Sequence, residues 1–105
     1  MLRYVVLHHT GTDNPHFDLL FERAGKDLLG TMRCSDWPPA NETAFERIDD
    51  HRRVYLEYEG PISANCGEVR RIASGTCTTE VDREDSLLLT LDSGIQVRVP
   101  RKLSD

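Results

Sequence analysis

Residues 3–22 read RYVVLHHTGTDNPHFDLLFE and contain two apolar runs separated by a polar segment. The first run, Arg3–His9, carries consecutive apolar side chains and predicts a buried strand. Gly, Thr, Asp, Asn and Pro cluster in Gly11–Pro15, which is typical of a loop. The second run, Phe17–Glu22, predicts another strand. This stretch therefore predicts two strands joined by a short loop and points to a β-rich chain.

Most of the remaining sequence also consists of short apolar segments between turn-forming residues. A turn at Ala24–Lys26 predicts that the next strand forms a hairpin, and Leu91–Ile95 has similar hairpin chemistry. Trp37–Pro39 is expected to be irregular. The further strands are predicted in Asp27–Arg33, Val54–Glu59, Glu68–Ala73, Thr76–Val81, Ser86–Leu91 and the alternating segment 95–99.

One segment, Thr43–Asp50, has the features of a helix. Thr43 and Glu46 have the S/T-x-x-E spacing of a capping box, and Phe45 and Ile48 form a short apolar stripe. With about seven or eight strands and this helix, the fold class is mainly β. Because exposed strand edges must be avoided, we expect a small closed or nearly closed antiparallel barrel, with residues 1–105 forming one domain.

Charge and hydropathy exclude several classes of protein. Thirteen basic and 18 acidic residues give a net charge of −5, which disfavours charge-driven binding along duplex nucleic acid. No apolar run approaches the roughly 20 residues of a membrane span, and the first residues do not resemble a signal peptide. We therefore expect a cytoplasmic protein that does not bind membranes. Three cysteines, Cys34, Cys66 and Cys77, without a C-x-x-C pair indicate reduced thiols.

Histidines next to the first loop form a candidate metal site. His16 and Asp18 are two apart on one strand, so their side chains project from the same face. Only one of His8 and His9 can share that face. Two imidazoles and a carboxylate suit a divalent transition metal, with open positions for water and substrate. The alternative is that these residues are surface hydrogen-bonding groups.

A second cluster surrounds His51. This histidine could serve as a general acid or base, Tyr55 offers a phenol, and Arg52 or Arg53 could bind phosphate oxygens. The alternative is structural: His51 ends a helix near its negative pole, Tyr55 packs in the core and the arginines are solvated.

In order along residues 3–80, the sequence resembles the 3′-phosphoesterase domain of bacterial DNA ligase D and its small stand-alone relatives. The family shows a His, a short loop and His-aromatic-Asp, then Asp-His and Tyr, an aromatic-Glu-Gly and a Gly-x-Val…Gly-Thr hairpin. The corresponding segments here are His9, His16–Glu22, Asp50–Tyr55, Tyr58–Pro61, Gly67–Val69 and Ala73–Thr76.

The resemblance implies a compact β-barrel in which His9, His16 and Asp18 hold Mn²⁺, with Glu22 behind the ligands. It implies that His51 contacts the scissile phosphate and that Tyr55 lines the same pocket. The substrate-binding cations would be Arg33, Arg52 and Arg53. The implied activity removes a 3′-phosphate or a 3′-ribonucleoside from nucleic-acid ends during DNA repair. A monomer is expected, with a ligase or polymerase as a partner in trans.

This chain departs from the family pattern at three places. The loop after His9 is one residue longer, which makes His8 a competing ligand. Leu20 stands where ligase-linked members have a phosphate-binding arginine, and Ser35–Pro38 lacks the family's basic residue although Arg33 lies nearby. Loss of these cations suggests an alternative function, a metal- and phosphate-end-binding module without turnover. A further alternative is a non-haem iron oxygenase, because His-x-Asp with a distal His also forms a facial triad.

Overall fold

The structure, a computed structural model, describes residues 1–40, 43–62, 66–81 and 86–99. Its strands are β1 (Leu2–Thr10), β2 (His16–Phe21), β3 (Leu29–Cys34), β4 (Phe45–His51), β5 (Gly60–Pro61), β6 (Glu68–Val81), β7 (Leu87–Leu91) and β8 (Gln96–Val99). A 3₁₀ turn, Arg53–Leu56, lies between β4 and β5.

The strands form one antiparallel sheet in the order β4-β3-β2-β1-β6-β7-β8, and β5 pairs with β6 beside this path. The sheet curls into a half-barrel, with β4 and β8 at the two ends of the strand order. The predicted mainly β, antiparallel fold class is confirmed. The β2–β3 hairpin, the loop after β1 and the irregular Trp37–Pro39 segment, where the Trp37–Pro38 peptide bond is cis, are confirmed as well.

The central strands are buried on both faces of the sheet. Successive side chains of a strand point to opposite sides, so these strands contribute to two separate cores. On one face, Tyr4, Val6 and their neighbours pack against side chains from β7 and β8. On the other face, Val5, Leu7 and Leu20 pack under Leu56 of the 3₁₀ turn. We call this second side the concave face. All the candidate metal ligands except His8 lie on it, as the strand register shows below.

A β-bulge in β6 lets one strand serve both faces. The register against β1 shifts between Val6 and Leu7, which pair with Ala73 and Arg71 and leave Ile72 as the extra residue. One extra residue reverses the side that later side chains face. Val69 accordingly packs on the concave face and Cys77 on the opposite face. The segments 68–73 and 76–81, predicted as separate strands, are one strand.

The predicted helix over Thr43–Asp50 is wrong, because Phe45–His51 forms β4 along β3. The Thr43 hydroxyl accepts a hydrogen bond from the Ala40 backbone N–H at 2.9 Å, so it contacts the chain that precedes it rather than capping a helix. A two-residue apolar stripe gives a helix little to bury, and pairing with β3 outweighs the local capping signal.

The predicted strand over Val54–Glu59 is also wrong. Its first residues form the 3₁₀ turn, in which Tyr55 and Leu56 both pack against the concave face while Val54 is exposed. Consecutive residues can share a side in a tight helical turn, whereas a strand would separate them. The apolar residues at the start of this segment therefore fit a tight turn rather than a strand.

No helix in the described ranges is long and apolar enough to cross a membrane. Among the cysteines, Cys34 and Cys77 are buried and Cys66 is exposed. Burial raises the pKa of both buried thiols to about 11, which makes them poor nucleophiles at neutral pH.

Candidate metal centre

His9, His16 and Asp18 converge because of the register of the first two strands. His9 lies directly opposite His16, and Leu7 lies opposite Asp18. Paired residues of an antiparallel ladder share a face, as do residues two apart on one strand. The ligand atoms of the three side chains lie within 4.8 Å of one another. The predicted group is therefore assembled on the concave face.

Hydrogen bonds fix the tautomers of both histidines. His9 Nε2 lies 2.6 Å from the Cys66 carbonyl oxygen, and His16 Nδ1 lies 2.8 Å from the Asn14 carbonyl oxygen. Carbonyl oxygens only accept hydrogen bonds, so these ring nitrogens carry the hydrogens. In neutral rings, His9 Nδ1 and His16 Nε2 are then lone-pair atoms. Metal-ligating histidines have this same outward N–H contact.

The lone-pair atoms face one another. His9 Nδ1 lies 3.2 Å from His16 Nε2, which lies 3.4 Å from Asp18 Oδ2. The Asp18 carboxylate is 3% exposed. Three electron-pair donors at these distances repel one another unless a cation or a shared proton lies between them. The donor set of two imidazoles and one carboxylate fits a divalent transition metal, so the residues present fit such an ion.

The contact with Cys66 depends on a close approach between two loops. Gly67 has a φ of 85°, and a Cβ at this position would overlap the Thr10 carbonyl oxygen. Glycine at position 67 therefore allows the chain to bring the Cys66 carbonyl oxygen to His9.

His8 points away from this group. It pairs with Phe17 on β2, and the two rings stack with centroids 4.4 Å apart and planes 13° apart. The expectation that His8 competes with His9 as a ligand is therefore wrong, because neighbouring residues of β1 face opposite sides of the sheet.

Arg33 adjoins the metal group. It lies opposite Asp18 on one side and opposite Glu46 on the other, so it stands between two carboxylates in register across β2, β3 and β4. Its Nε donates to Asp18 Oδ1 over 3.2 Å. This guanidinium is therefore the cation closest to the candidate ligands along the ladder, and it holds the Asp18 carboxylate in place.

His51 lies at the far side of the concave face. Its Nδ1 lies 2.9 Å from the Asp49 carbonyl oxygen and 3.1 Å from the Thr31 hydroxyl, which itself donates to the Leu29 carbonyl oxygen. Nδ1 therefore carries the hydrogen, and Nε2 is the nitrogen with a lone pair. The hydrogen bonds leave Nε2 to accept or return a proton.

Tyr55 accompanies His51. The two rings meet edge to face with centroids 5.6 Å apart, and the Arg52 guanidinium lies 5.9 Å from the centroid of the Tyr55 ring. Tyr55 is half-buried and Arg52 is exposed. The 3₁₀ turn thus places a phenol and a cation beside the imidazole.

Glu22 and Arg53 pair with one another. An Arg53 Nη2 hydrogen bond is the main reason that the pKa of the Glu22 carboxyl lies below its usual value, and the Arg3 backbone N–H also donates to Glu22 over 2.8 Å. Glu22 follows β2 at the end opposite His16, about 20 Å away along an extended chain of six residues. Glu22 therefore lies away from the metal ligands and not behind them, where the resemblance had placed it.

A largely buried ion cluster surrounds Asp50, next to His51 in β4. Asp50 Oδ2 accepts from Arg23 Nη2 over 2.8 Å, and Asp50 Oδ1 accepts from Arg47 Nη2 over 3.1 Å. Burial alone would raise the pKa of the Asp50 carboxyl, but the two arginines outweigh it and hold the pKa below its usual value. The register of β4 against β3 shifts just here, between Leu29 and Thr31.

Two cavities meet at the metal group. The smaller cavity, about 200 Å³, is lined by His9, Asp18, Arg33, His51, Tyr55 and three apolar residues. The larger, about 760 Å³, shares His9 and Arg33 with it and is also lined by His16, Asp13, Glu46 and Phe45. His9 and Arg33 therefore form the boundary between the cavities.

Sequence reasoning missed several residues that this arrangement uses. Thr31 is fully buried and hydrogen-bonded to His51, and a hydroxyl inside an apolar strand was its only signal. Glu46 was assigned to a capping box. Asn14 and Cys66 act through backbone carbonyls, which leave no signal in side-chain identity.

Comparison of the chain with protein-family models and with curated proteins finds no match. The function is therefore proposed below from the geometry of the site and from the resemblance in motif order.

Proposed function

We propose that the protein is a metal-dependent phosphoesterase that hydrolyses a 3′-phosphate ester of a nucleotide. The observation that carries the proposal is the convergence of three electron-pair donors, His9 Nδ1, His16 Nε2 and Asp18 Oδ2. Two of these residues, His9 and Asp18, line the same small cavity as His51. A cation with open coordination positions that shares a cavity with a proton-transfer group suits phosphate ester hydrolysis.

The metal would be held by His9, His16 and Asp18, and Mn²⁺ is the ion that the motif order implies. When bound, such an ion supplies an electrophile that polarises a phosphate oxygen and offsets negative charge in the transition state. Arg33 keeps the Asp18 carboxylate oriented through its Nε–H contact.

His51 would handle the proton. With Nδ1–H held by Asp49 and Thr31, Nε2 can take a proton from water or, once protonated, donate it to a phosphate oxygen. Tyr55 offers a phenol hydrogen bond next to His51, and Arg52 adds a positive charge at the edge of the cavity. Arg53 would contribute less, because Glu22 already neutralises it.

Nucleic-acid 3′ ends carrying a phosphate or one ribonucleoside are the substrates that the motif order implies. The protein would act as a monomer in cytoplasmic DNA repair, with a ligase or polymerase as a partner in trans. Against turnover stands Leu20, in the position of the family's phosphate-binding arginine. Leu20 is fully buried among the apolar residues of the concave face. This observation favours the second candidate, a module that binds metal and phosphate ends without hydrolysis.

The test is Mn²⁺-dependent release of phosphate or of a ribonucleoside from a primer that ends in a 3′-phosphate or a single 3′-ribonucleotide. We expect turnover with Mn²⁺ and none with excess chelator. His51→Gln should lower kcat about 10²–10⁴-fold while leaving Mn²⁺ affinity unchanged, because His51 moves a proton and does not belong to the ligand group.

His8→Gln is the matched control, since it removes a histidine that faces the other side of the sheet. It should retain wild-type kcat. Absence of product at high protein concentration with Mn²⁺ bound contradicts the phosphoesterase proposal. Saturable binding of the 3′-phosphorylated primer without conversion would instead favour the binding module.

A further inference from the structure

The two cavities differ in charge. The larger cavity carries two carboxylates, Asp13 and Glu46, and its only Lys or Arg among the described lining residues is Arg33. Arg33 is already in contact with Asp18 and lies directly opposite Glu46 on β4. A phosphodiester backbone that entered this cavity would approach two carboxylates without a cation to neutralise each phosphate.

The smaller cavity has the opposite character. His51, Tyr55 and Arg33 line it, and no carboxylate except the candidate ligand Asp18 is among its described lining residues. The exposed guanidinium of Arg52 lies beside Tyr55 at its edge. Hydrogen-bond donors and positive charge therefore converge in a space that holds a phosphate group but little more.

The charge balance allows one terminal phosphate. Counting only the described residues that line the smaller cavity, a divalent metal and Arg33 would bring three positive charges, and Asp18 takes away one. The remaining two match the charge of one phosphate monoester, which is about −1.5 to −2 at neutral pH. Asp13 and Glu46 leave no surplus positive charge for a second phosphate.

We infer that the smaller cavity takes the substrate's terminal phosphate and the larger cavity a single uncharged, nucleoside-sized alcohol, so that the substrate is a free nucleotide rather than a polynucleotide end. The inference rests on the proposed function and narrows its substrate class. A volume of about 760 Å³ lies within the range of small-ligand sites. Phe45 offers an aromatic surface there, and Asn14, Thr12 and Ser35 offer polar groups for a sugar or a base.

The reaction that follows is a simple hydrolysis. The oxygen of a water molecule forms a bond to phosphorus, the bond between phosphorus and the ester oxygen breaks, and the leaving alcohol keeps the electron pair. One water proton ends on the alcohol, by way of His51 Nε2, and inorganic phosphate leaves the smaller cavity. No oxidant, reductant or second substrate takes part.

The test compares thymidine 3′-monophosphate with a short oligothymidylate that carries the same 3′-phosphate, using the Mn²⁺-loaded full chain. We expect kcat/KM to be at least about tenfold higher for the single nucleotide at low salt, because the oligonucleotide adds phosphates next to carboxylates. Raising salt from about 50 to 200 mM should narrow the difference, whereas binding to a basic surface would weaken steeply over that range.

Variants locate the effect. Glu46→Gln and Asp13→Asn should each raise, severalfold, the ratio of kcat/KM for the oligonucleotide to kcat/KM for the single nucleotide, because each removes a carboxylate from the larger cavity. Asp27→Asn is the matched control, since Asp27 is an exposed carboxylate in the β2–β3 turn outside both cavities, and it should change neither substrate.

Calorimetric binding of both compounds to the Mn²⁺-loaded His51→Gln variant keeps the two proposals separate. Tighter binding of the single nucleotide without turnover by the wild type supports the substrate class and overturns the phosphoesterase function. Preference for the oligonucleotide, lost as salt rises, overturns the inference and leaves the phosphoesterase function standing. Failure of both compounds to bind, together with no turnover of either by the wild type, overturns both.

Discussion

The metal end of the concave face, formed by His9, His16 and Asp18, and the His51 end, formed by His51 and Tyr55, rest on different kinds of backbone. The metal end uses two strands in unbroken antiparallel register. The His51 end follows a register shift in β4 and continues into a 3₁₀ turn. In a regular ladder, odd or even position along the strand (strand parity) decides which face a side chain occupies. A bulge breaks this alternation, so the side chains that follow it need additional contacts to fix where they point.

The largest effect that tests this contrast is loss of the metal. Asp18→Asn or His9→Ala should weaken Mn²⁺ binding at least 100-fold, more than the roughly 10–100-fold that follows loss of an outer contact to a ligand. Electron paramagnetic resonance titration of free Mn²⁺ measures this. The fold should persist, because the strands of this end are held by their ladder and by the two cores.

The control for this prediction is the neighbouring histidine. His8→Ala should leave Mn²⁺ affinity unchanged, because its ring stacks on Phe17 across the sheet from the ligands. Equal loss of affinity in His8→Ala and His9→Ala would show that strand parity does not select the ligand, and the contrast between the two ends would fail.

What could be predicted from the sequence follows the same division. The hairpins, the two strands before and after the first loop, and the grouping of His16 and Asp18 with one of the two histidines of β1 depend on local spacing. The position of β4 depends on its pairing with β3, which is distant in sequence. Within this segment the strongest local pattern was the helix-like capping box of Thr43 and Glu46, so the sequence predicted a helix instead of a strand. His51 and Tyr55 were recognised by their chemistry and motif order, while the backbone that carries them was wrong.

The choice between His8 and His9 shows the limit at a single residue. Sequence spacing leaves both histidines open as ligands, since it does not show which of the two lies on the same face of the sheet as His16 and Asp18. The register of β1 against β2 decides it, and register is fixed by which apolar side chains reach each core. The bulge at Ile72 likewise left no mark in composition, although it reverses the side that β6 faces.

A smaller effect is expected at the clamp of the His51 end. Asp50→Asn should lower the free energy of unfolding by about 2 kcal/mol, because it removes the carboxylate shared by two largely buried arginines, Arg23 and Arg47. The pKa of Asp50 is lowered in the folded protein, so its contribution is present at neutral pH and disappears as pH falls through the lowered pKa. Urea denaturation at several pH values measures both.

In that experiment Asp50→Asn should also show less acid destabilisation than the wild type. A change of less than about 0.5 kcal/mol at neutral pH would mean that the bulge before His51 is held by the ladder alone. Asp27→Asn again serves as the control, since this carboxylate is exposed in a turn.

The smallest effect is expected at the Glu22–Arg53 pair, which lies beyond the end of β2 opposite the metal ligands. Arg53 is 48% exposed, so solvent screens the pair, and Arg53→Gln should cost less than about 1 kcal/mol of unfolding free energy at pH 7. Its hydrogen bond is the main cause that lowers the pKa of Glu22. The wild type should therefore lose slightly more stability than Arg53→Gln between about pH 6 and pH 3, because a lowered carboxyl pKa gives stability that acid removes.

Mn²⁺ affinity should not change in this variant. A fall in Mn²⁺ affinity of tenfold or more would instead tie Glu22 and Arg53 to the metal end, and the two ends of the concave face would have to be treated as one coupled site.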